Sequence, residues 1–185
     1  CTGKAAPALG PLGPPASGGA PKRHDVYVSF FQGAGAEAEG GGRGVATNDL
    51  SEQFASWVAE VCKGLGVSVF FDKTNLMRLV DEKGLRDNVM GARAVVCVLS
   101  RESLLDQSGM QQELWWAHSA RVPIVALYDA DQHQPRECES WRARCPFAFE
   151  RPPVAYQRQA HVRSKDGLIA AVHEALLDAY QEELP

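Results

Sequence analysis

The chain has 185 residues, of which 45% are hydrophobic and 23% charged, proportions typical of one soluble globular domain with some tail. A net charge of −4 excludes the basic surface of a typical nucleic-acid-binding protein, so we expect no nucleic-acid partner. No apolar run approaches the roughly 20 residues needed to cross a bilayer, and we expect no membrane segment in this chain. The chain begins at Cys1 without a signal-peptide pattern, and we expect it to be a fragment of a longer protein.

The amino-terminal segment, residues 1–22, is rich in Gly, Pro and Ala and carries scarcely any charge. Such a composition cannot bury enough apolar surface to offset the entropy lost on ordering. It therefore predicts a disordered linker or tail. Residues 23–185 carry the periodic apolar patterns and are predicted to form one domain.

The five cysteines are odd in number, and Cys97 stands inside an apolar run. This usage indicates reduced thiols in a cytoplasmic protein rather than a disulfide framework. His133, Cys138 and Cys145 have neither a CxxC pair nor a fourth ligand at useful spacing. We therefore predict no metal site.

Strand-like and helix-like patterns alternate from the start of the predicted domain. Residues 25–31 form a short β-rich run that predicts a buried strand. The Gly-rich stretch 33–44 contains no GxxxxGK[ST] pattern and predicts a surface loop rather than a phosphate-binding loop. Asn48 or Asp49 can cap the helix that follows. The apolar stripe of this helix recurs at three- and four-residue spacing and consists of Leu50, Phe54, Trp57, Val58, Val61 and Leu65.

Gly64 and Gly66 are predicted to end that helix, and residues 67–71 predict a second strand closed by Asp72. Leu85 and Val89 then mark a short helix. Residues 94–99 form the most hydrophobic run in the chain, which predicts a strand that is covered on both faces.

The rest of the chain continues the alternation. Met110, Leu114, Ala117 and Arg121 predict one face of a helix, and residues 123–128 predict the fourth strand. Trp141 is predicted on a short helical turn, and residues 147–149 are predicted to form a small edge strand. The last helix is defined by Leu168, Ile169, Val172, Leu176 and Ala179.

This alternation predicts an α/β protein with a mostly parallel sheet and helices on both faces. Ligands of such sheets bind beyond the carboxyl ends of the strands. Those ends lie at residues 29–31, Asp72, Ser100 and Asp129.

The order of these landmarks resembles a Toll/interleukin-1 receptor (TIR) domain over about residues 24 to 182. The matching motifs are the opening strand 25–30, the strand 66–72 that leads into the BB loop, the run 89–93 followed by 98–100, and the pair Glu113–Leu114. The resemblance implies a flavodoxin-like three-layer sandwich with a central, mostly parallel five-stranded sheet. Within the family, the chain is most similar to the NAD-cleaving branch that includes the animal NAD hydrolase of axon degeneration.

That resemblance implies an NAD⁺ glycohydrolase with Glu113 as its catalytic residue. NAD⁺ is then the substrate, and no cofactor is implied. The products are nicotinamide and ADP-ribose or its cyclic form. The family implies self-association with other TIR domains and a cytoplasmic role in innate immunity or cell death. The alternative is a non-catalytic adaptor that binds other TIR domains through its BB loop and helix faces.

The chain departs from the family pattern in two places. Leu79 stands where the BB loop usually has Gly, and Phe31 and Gln32 stand where the animal NAD-cleaving relative has basic residues. Stacking on Phe30 or Phe31 can take the place of the missing basic groups. These departures keep the adaptor alternative open.

Physical chemistry gives Glu113 a reason to act alone. Nicotinamide leaves NAD⁺ as a neutral group and needs no general acid, so one carboxylate that stabilises the ribose cation is sufficient. Helix geometry places Glu113 about 70° from the middle of the apolar stripe, near the core boundary.

The other candidate residues are predicted to bind substrate. Ser29, Phe30 and Phe31 end the first strand, Asp72 can contact a ribose hydroxyl or merely cap a turn, and Trp141 can stack on a ring or pack in the core. Ser29 and Ser100 are not predicted nucleophiles, because the nearest histidine, His24, begins the strand that Ser29 nearly ends. His118 is predicted to be a surface or packing residue.

Overall fold

The computed structural model describes residues 24–30, 46–71, 82–100 and 109–183, with side chains in the first helix described from Ser51 onward. A five-stranded sheet, in which every pair of neighbours is parallel, forms the middle layer. Its strands are β1 His24–Phe30, β2 Val69–Phe70, β3 Ala92–Leu99, β4 Ile124–Asp129 and β5 Val154–Tyr156. Five α-helices accompany the strands: α1 Ala46–Gly64, α2 Glu82–Met90, α3 Gly109–Ser119, α4 Pro135–Arg144 and α5 His161–Glu183.

Helices cover both faces of the sheet, so the predicted α/β three-layer sandwich is confirmed. One core cluster joins α1 and α5 to alternate residues of the strands, such as Val26 and Val28. The other joins α2, α3 and α4 to the residues between them, such as Tyr27 and Cys97. Successive side chains of a strand point to opposite faces, which is why neighbouring residues of β1 enter different clusters.

The strand order is β2-β1-β3-β4-β5. The chain therefore moves outward in one direction from β1 to β2 and then returns to the other side of β1 to form β3. Neighbouring connections leave the sheet in opposite directions at this point, which opens a crevice beyond the carboxyl ends of β1 and β3.

The amino-terminal ends of the strands are closed by a network around Asp25. Its carboxylate accepts hydrogen bonds from the Ser68 amide at 2.7 Å, the Ser68 hydroxyl at 2.7 Å and Arg93 at 2.7 Å. Arg93 also pairs with Glu183 near the end of α5, at 3.1 Å. Burial acts to raise the pKa of Asp25, but the hydrogen bonds from Ser68 and Arg93 outweigh it and lower the pKa.

One predicted element near the carboxyl terminus was wrong. Residues 147–149 belong to the 3-10 helix Pro146–Phe149 and not to an edge strand, because Pro146 begins the turn and the buried Phe149 packs in the core. The edge strand is β5, where the Tyr156 carbonyl oxygen accepts a hydrogen bond from the Ala130 amide at 2.8 Å. Trp141 lies on α4, which is a full helix rather than a single turn.

The predicted helix boundaries agree with the structure at some points and differ at others. Gly64 ends α1 and Gly66 has a positive φ of 75°, as predicted, and α2 stops before Gly91. However, α1 begins at Ala46, so Asn48 and Asp49 lie inside it and do not cap it.

The prediction that Arg121 continues the apolar face of α3 was also wrong. The helix ends at Ser119, and Arg121 is exposed with a φ of 56°. The Val122 amide donates to the Ala117 carbonyl oxygen at 2.9 Å, and the Arg121 amide donates to that of His118 at 3.0 Å. This pair of bonds is the Schellman arrangement, which requires a left-handed residue where Arg121 stands.

Among the residues that the structure describes, no helix combines the length and the apolarity needed to cross a membrane.

The left-handed conformation of Arg121 leads to a stability prediction. Arg121→Gly removes the contact between Cβ and the backbone that disfavours this conformation, and we expect a gain of roughly 0.5–1 kcal/mol in the free energy of unfolding. Arg121→Ala keeps Cβ and is the matched control, with no such gain expected. Urea denaturation of the three proteins measures the difference, and equal stability of the Gly and Ala variants would contradict the assignment.

Candidate active site

Two hydroxyl groups stand on the α3 side of β1. Tyr27 and Ser29 are two residues apart on the strand, so their side chains point to the same sheet face. Both are buried. Ser29 is the next-to-last residue of β1 and lies beside Cys97 of β3 in the register of the sheet. The pair therefore lies in the carboxyl-terminal half of β1, the strand at which the strand order reverses.

Helix α3 brings a carboxyl group to these hydroxyls. Leu114 is fully buried against the sheet and fixes the rotation of the helix, which leaves the preceding residue, Glu113, partly buried at the edge of the packed face. The Ser29 hydroxyl donates to Oε2 of Glu113 at 2.6 Å. The Tyr27 hydroxyl lies close enough to the same carboxyl group to affect its acidity. The predicted position of Glu113 near the core boundary is thus confirmed.

The surroundings of Glu113 change its acidity. Burial raises the pKa of Glu113 from 4.5 to about 7, against the hydrogen bonds from Ser29 and Tyr27, which lower it. Burial, followed by the nearby Glu113 carboxylate, raises the pKa of the Tyr27 hydroxyl, so that Tyr27 stays protonated and donates. A carboxyl group that titrates near neutral pH in a crevice is a frequent mark of a functional site.

The structure brings Ser29 and Glu113 together but separates Phe30 from them. The Phe30 side chain enters the opposite core cluster and packs against Phe71 with ring centroids 5.6 Å apart. Phe31 and Asp72, together with Gln32 and Leu79, lie outside the described residues.

Trp141 is buried in the core on the same sheet face as Glu113. Its ring meets His133 edge-on at 5.1 Å and Tyr128 at 6.5 Å. This environment agrees with the second alternative in the sequence analysis, that Trp141 packs in the core.

The histidines do not form a nucleophilic triad with the serines that the structure describes. His24 begins β1 and stacks on Phe70 at 5.2 Å, at the other end of the strand from Ser29. His118 is exposed and stacks on Phe147 at 5.0 Å, as predicted for a surface or packing residue. Ser100 is buried directly after β3.

The described residues contain no group of three or more His, Cys, Asp or Glu side chains that could hold a metal ion. Burial raises the pKa of the Cys145 thiol to about 11, and burial also raises that of Cys97 on β3. Both thiols are therefore neutral at physiological pH and behave as small apolar groups.

A cleft of about 520 Å³ lies away from Glu113, between β5 and α5. Arg151 on its wall is already paired with Glu174 and Asp178 of α5. Gly167, Ala170 and Ala171 supply a smooth helix surface opposite. The cleft offers volume but lacks a convergent set of unengaged polar groups, so Glu113 remains the better candidate for chemistry.

Tyr27 is the site residue that the sequence analysis missed. The available signal was its spacing of two residues from Ser29 in the predicted strand, which places both hydroxyls on one sheet face. The spacing could not identify Glu113 as the partner of these hydroxyls, because Glu113 lies 84 residues after Ser29.

A scan against protein-family models finds no match, and a search of curated proteins finds no match. Among solved structures, the chain is similar to the TIR domains in the structure of the activated Roq1 resistosome directly recognizing the pathogen effector XopQ. The identity is 16%, over 87% of this chain and 99% of that chain, with a TM-score of 0.42. At this identity and this TM-score, the likeness says nothing about the residues of the site.

The raised pKa of Glu113 gives a second prediction. Because folding raises this pKa, ionising the carboxyl group costs stability, and the cost grows as the pH rises from about 4.5 through about 7. We expect Glu113→Gln to be more stable than the wild type by roughly 2 kcal/mol at about pH 8 and to lose that advantage at about pH 4.5.

Thermal or urea unfolding at the two pH values measures the effect. Glu139→Gln, which changes an exposed glutamate, is the matched control and should show no comparable gain. An advantage of Glu113→Gln that is equal at both pH values would show that Glu113 titrates normally.

Proposed function

We propose that this protein is a TIR-domain NAD⁺ glycohydrolase that cleaves the nicotinamide–ribose bond, with Glu113 as its catalytic residue. The observation that carries the proposal is the Glu113 carboxyl group beside the carboxyl end of β1, hydrogen-bonded to Ser29 at 2.6 Å, with a pKa that burial raises to about 7. The resemblance of the sequence motifs to the NAD-cleaving branch of the family is the reason for proposing NAD⁺ as the substrate.

The reaction breaks the bond between the ribose C1′ and the pyridinium nitrogen, and the bonding electron pair goes to that nitrogen. Nicotinamide leaves neutral, and positive charge spreads over the ribose C1′ and ring oxygen. The ionised Glu113 carboxylate stabilises this cation in a partly water-excluded site, where electrostatic attraction is stronger than in bulk water. Water then adds to C1′ and loses a proton to give ADP-ribose; attack by a nitrogen of the adenine ring gives the cyclic product instead.

The acidity of Glu113 suits this role. A carboxyl group with a pKa of about 7 is about half ionised at neutral pH, and the positive charge on the nicotinamide ring of bound NAD⁺ favours the ionised form further. Burial therefore makes the carboxylate a strong electrostatic partner without removing its charge when substrate is present.

Substrate contacts in this proposal come from residues at the carboxyl ends of the strands. Ser29 lies in the crevice, and Phe31 and Asp72 follow β1 and Phe71 directly in the sequence. Trp141 requires a rearrangement of its core packing before it can contact a ring. Phe30, on the opposite sheet face, is not part of the proposed site.

The proposal includes assembly with other TIR domains in cytoplasmic signalling, as the motif resemblance implies. Self-association can complete the walls of an open crevice and exclude water from it. Activity is therefore expected to rise with protein concentration.

A second candidate is a non-catalytic TIR adaptor, favoured by an exposed aromatic residue on α3. Trp115 is 39% exposed, whereas the neighbouring Trp116 is buried. Tryptophan is enriched at the centres of protein interfaces. In this reading Glu113 has no chemical role.

The central test is release of nicotinamide from NAD⁺ by concentrated protein. We expect turnover that Glu113→Gln lowers by about 100-fold or more, because the variant keeps the shape of the side chain but loses the charge that stabilises the ribose cation. Glu150→Gln is the control. It changes an exposed glutamate that contacts His118, and it should retain activity.

Turnover is measured over a range of protein concentrations, so that a dependence on assembly is visible. Absence of turnover at every concentration, or equal turnover in the wild type and Glu113→Gln, would reject the catalytic proposal. Binding to partner TIR domains that survives in Glu113→Gln would then support the adaptor.

The pH dependence of kcat/KM gives a further prediction, because this parameter reports the ionisation of the free enzyme. Only the ionised carboxylate stabilises the ribose cation, so we expect kcat/KM to rise with pH and to level off above a midpoint near 7. The value at about pH 5 should be about a hundredfold below the plateau. A flat profile between these limits would exclude Glu113 as the group that must be ionised.

A further inference from the structure

Two buried hydroxyl groups reach the same carboxyl group from one strand. Tyr27 and Ser29 have no catalytic assignment on their own, yet both face α3; Ser29 hydrogen-bonds to Glu113, and Tyr27 lies close to the same carboxyl group. Buried tyrosines elsewhere in the sheet have other partners; the Tyr128 hydroxyl, for example, contacts Cys138.

We propose that Tyr27 and Ser29 are positioning residues that together hold the Glu113 carboxylate ionised and aimed at the β1/β3 crevice. This inference rests on the proposed function, which it deepens by assigning control of the acidity and direction of Glu113 to β1. We refer to the two hydroxyls as the β1 clamp.

The hydrogen-bond geometry is that of a clamp on a charged group. The separation of 2.6 Å between Ser29 Oγ and Glu113 Oε2 falls in the range of hydroxyl-to-carboxylate bonds, which are shorter and stronger than neutral ones. A hydroxyl that donates its only proton to a carboxyl oxygen favours the ionised form of that group. The Ser29 bond, with the nearby Tyr27 hydroxyl, therefore opposes the burial that would otherwise neutralise Glu113.

The clamp also fixes direction. Leu114 anchors α3 against the sheet on one side of Glu113, and the strand fixes Tyr27 and Ser29 on the other. A glutamate side chain has several rotatable bonds, and holding it costs conformational entropy that hydrogen bonds from rigid elements offset. Without the clamp, the carboxylate can turn out of the crevice toward solvent.

Few other ionisable groups described around Glu113 can take over this task. On β3, Cys97 lies beside Ser29 and stays neutral because burial raises the pKa of its thiol. On α2, Glu82 bonds to Gln112, the residue before Glu113. On α3, His118 interacts at 3.5 Å with Glu150, which directly follows the 3-10 helix. Tyr27 is the titratable group in direct contact with Glu113, and it stays protonated.

The test measures the pKa of the Glu113 carboxyl group by NMR. The full chain is labelled with ¹³C at glutamate side-chain carboxyls, the Glu113 signal is assigned by its loss in Glu113→Gln, and its chemical shift is followed across pH. We expect the titration midpoint to rise by about one pH unit in Tyr27→Phe and in Ser29→Ala, because each loses a donor to the charged form.

Matched controls separate the clamp from general loosening of the core. Tyr128→Phe removes a hydroxyl from the same sheet face, and Ser164→Ala removes a buried hydroxyl that accepts a hydrogen bond from the Gln157 amide; both should leave the Glu113 midpoint unchanged. Ser29→Thr keeps a hydroxyl at the Ser29 position and should return the midpoint toward the wild-type value. Tyr27→Phe and Ser29→Ala test separate hydroxyls, so if one variant misfolds, the other still tests the inference.

An activity measurement accompanies the titration. The acid limb of the kcat/KM profile for NAD⁺ should move upward in pH by the same amount as the NMR midpoint, and kcat on the plateau should fall with little change in KM. A Glu113 midpoint that stays at the wild-type value in both clamp variants would overturn the inference. If the midpoint moves in both but the wild type releases no nicotinamide, the clamp stands and the proposed NAD⁺ cleavage fails.

Discussion

The contact between Ser29 and Glu113 depends on one constraint, the packing of α3 onto the β1 and β3 strands. The fully buried Leu114 sets the rotation of α3, and the parallel register of β1 with β3 sets the height of Ser29 in the sheet. Together they bring two residues that are 84 positions apart within 2.6 Å of each other. Because the contact stands where the strand order reverses, a single carboxyl group is placed where open α/β sheets bind their ligands.

The pKa of a carboxyl group is shifted in opposite directions at the two ends of β1. At the amino end, Asp25 is surrounded by Ser68 and Arg93, which lower its pKa, so the ionised Asp25 stabilises the fold and that contribution is lost as the pH falls. At the carboxyl end, burial raises the pKa of Glu113, so its ionisation weakens the fold as the pH rises. Ionisation of a carboxyl group therefore stabilises the fold at the amino end of β1 and destabilises it at the carboxyl end. A stability cost of this kind is common at functional sites.

In the proposed reaction, this arrangement would make one carboxylate sufficient. Burial alone would neutralise Glu113, and solvent exposure alone would weaken its attraction to a ribose cation. Hydroxyl donors from β1 allow the group to be partly buried and still ionisable near neutral pH. The exposed Trp115, two residues further along α3, leaves a surface free for a partner on the same helix that carries the carboxylate.

Local pattern in the sequence determined most of the fold. Continuous apolar runs marked β3 and β4, and glycines marked the end of α1, because those signals come from residues close together in the chain. The sequence could not show that residues 147–149 turn as a 3-10 helix or that β5 is the edge strand, since only pairing with β4 decides between short apolar runs. Nor could it show that Arg121 leaves the helix, because the backbone bonds at Ala117 and His118 outweigh its propensity. In the site, sequence placed Glu113 at the core boundary; tertiary structure alone decided that Ser29 and Tyr27 face it and Phe30 does not, because strand register and helix packing are contacts between distant parts of the chain.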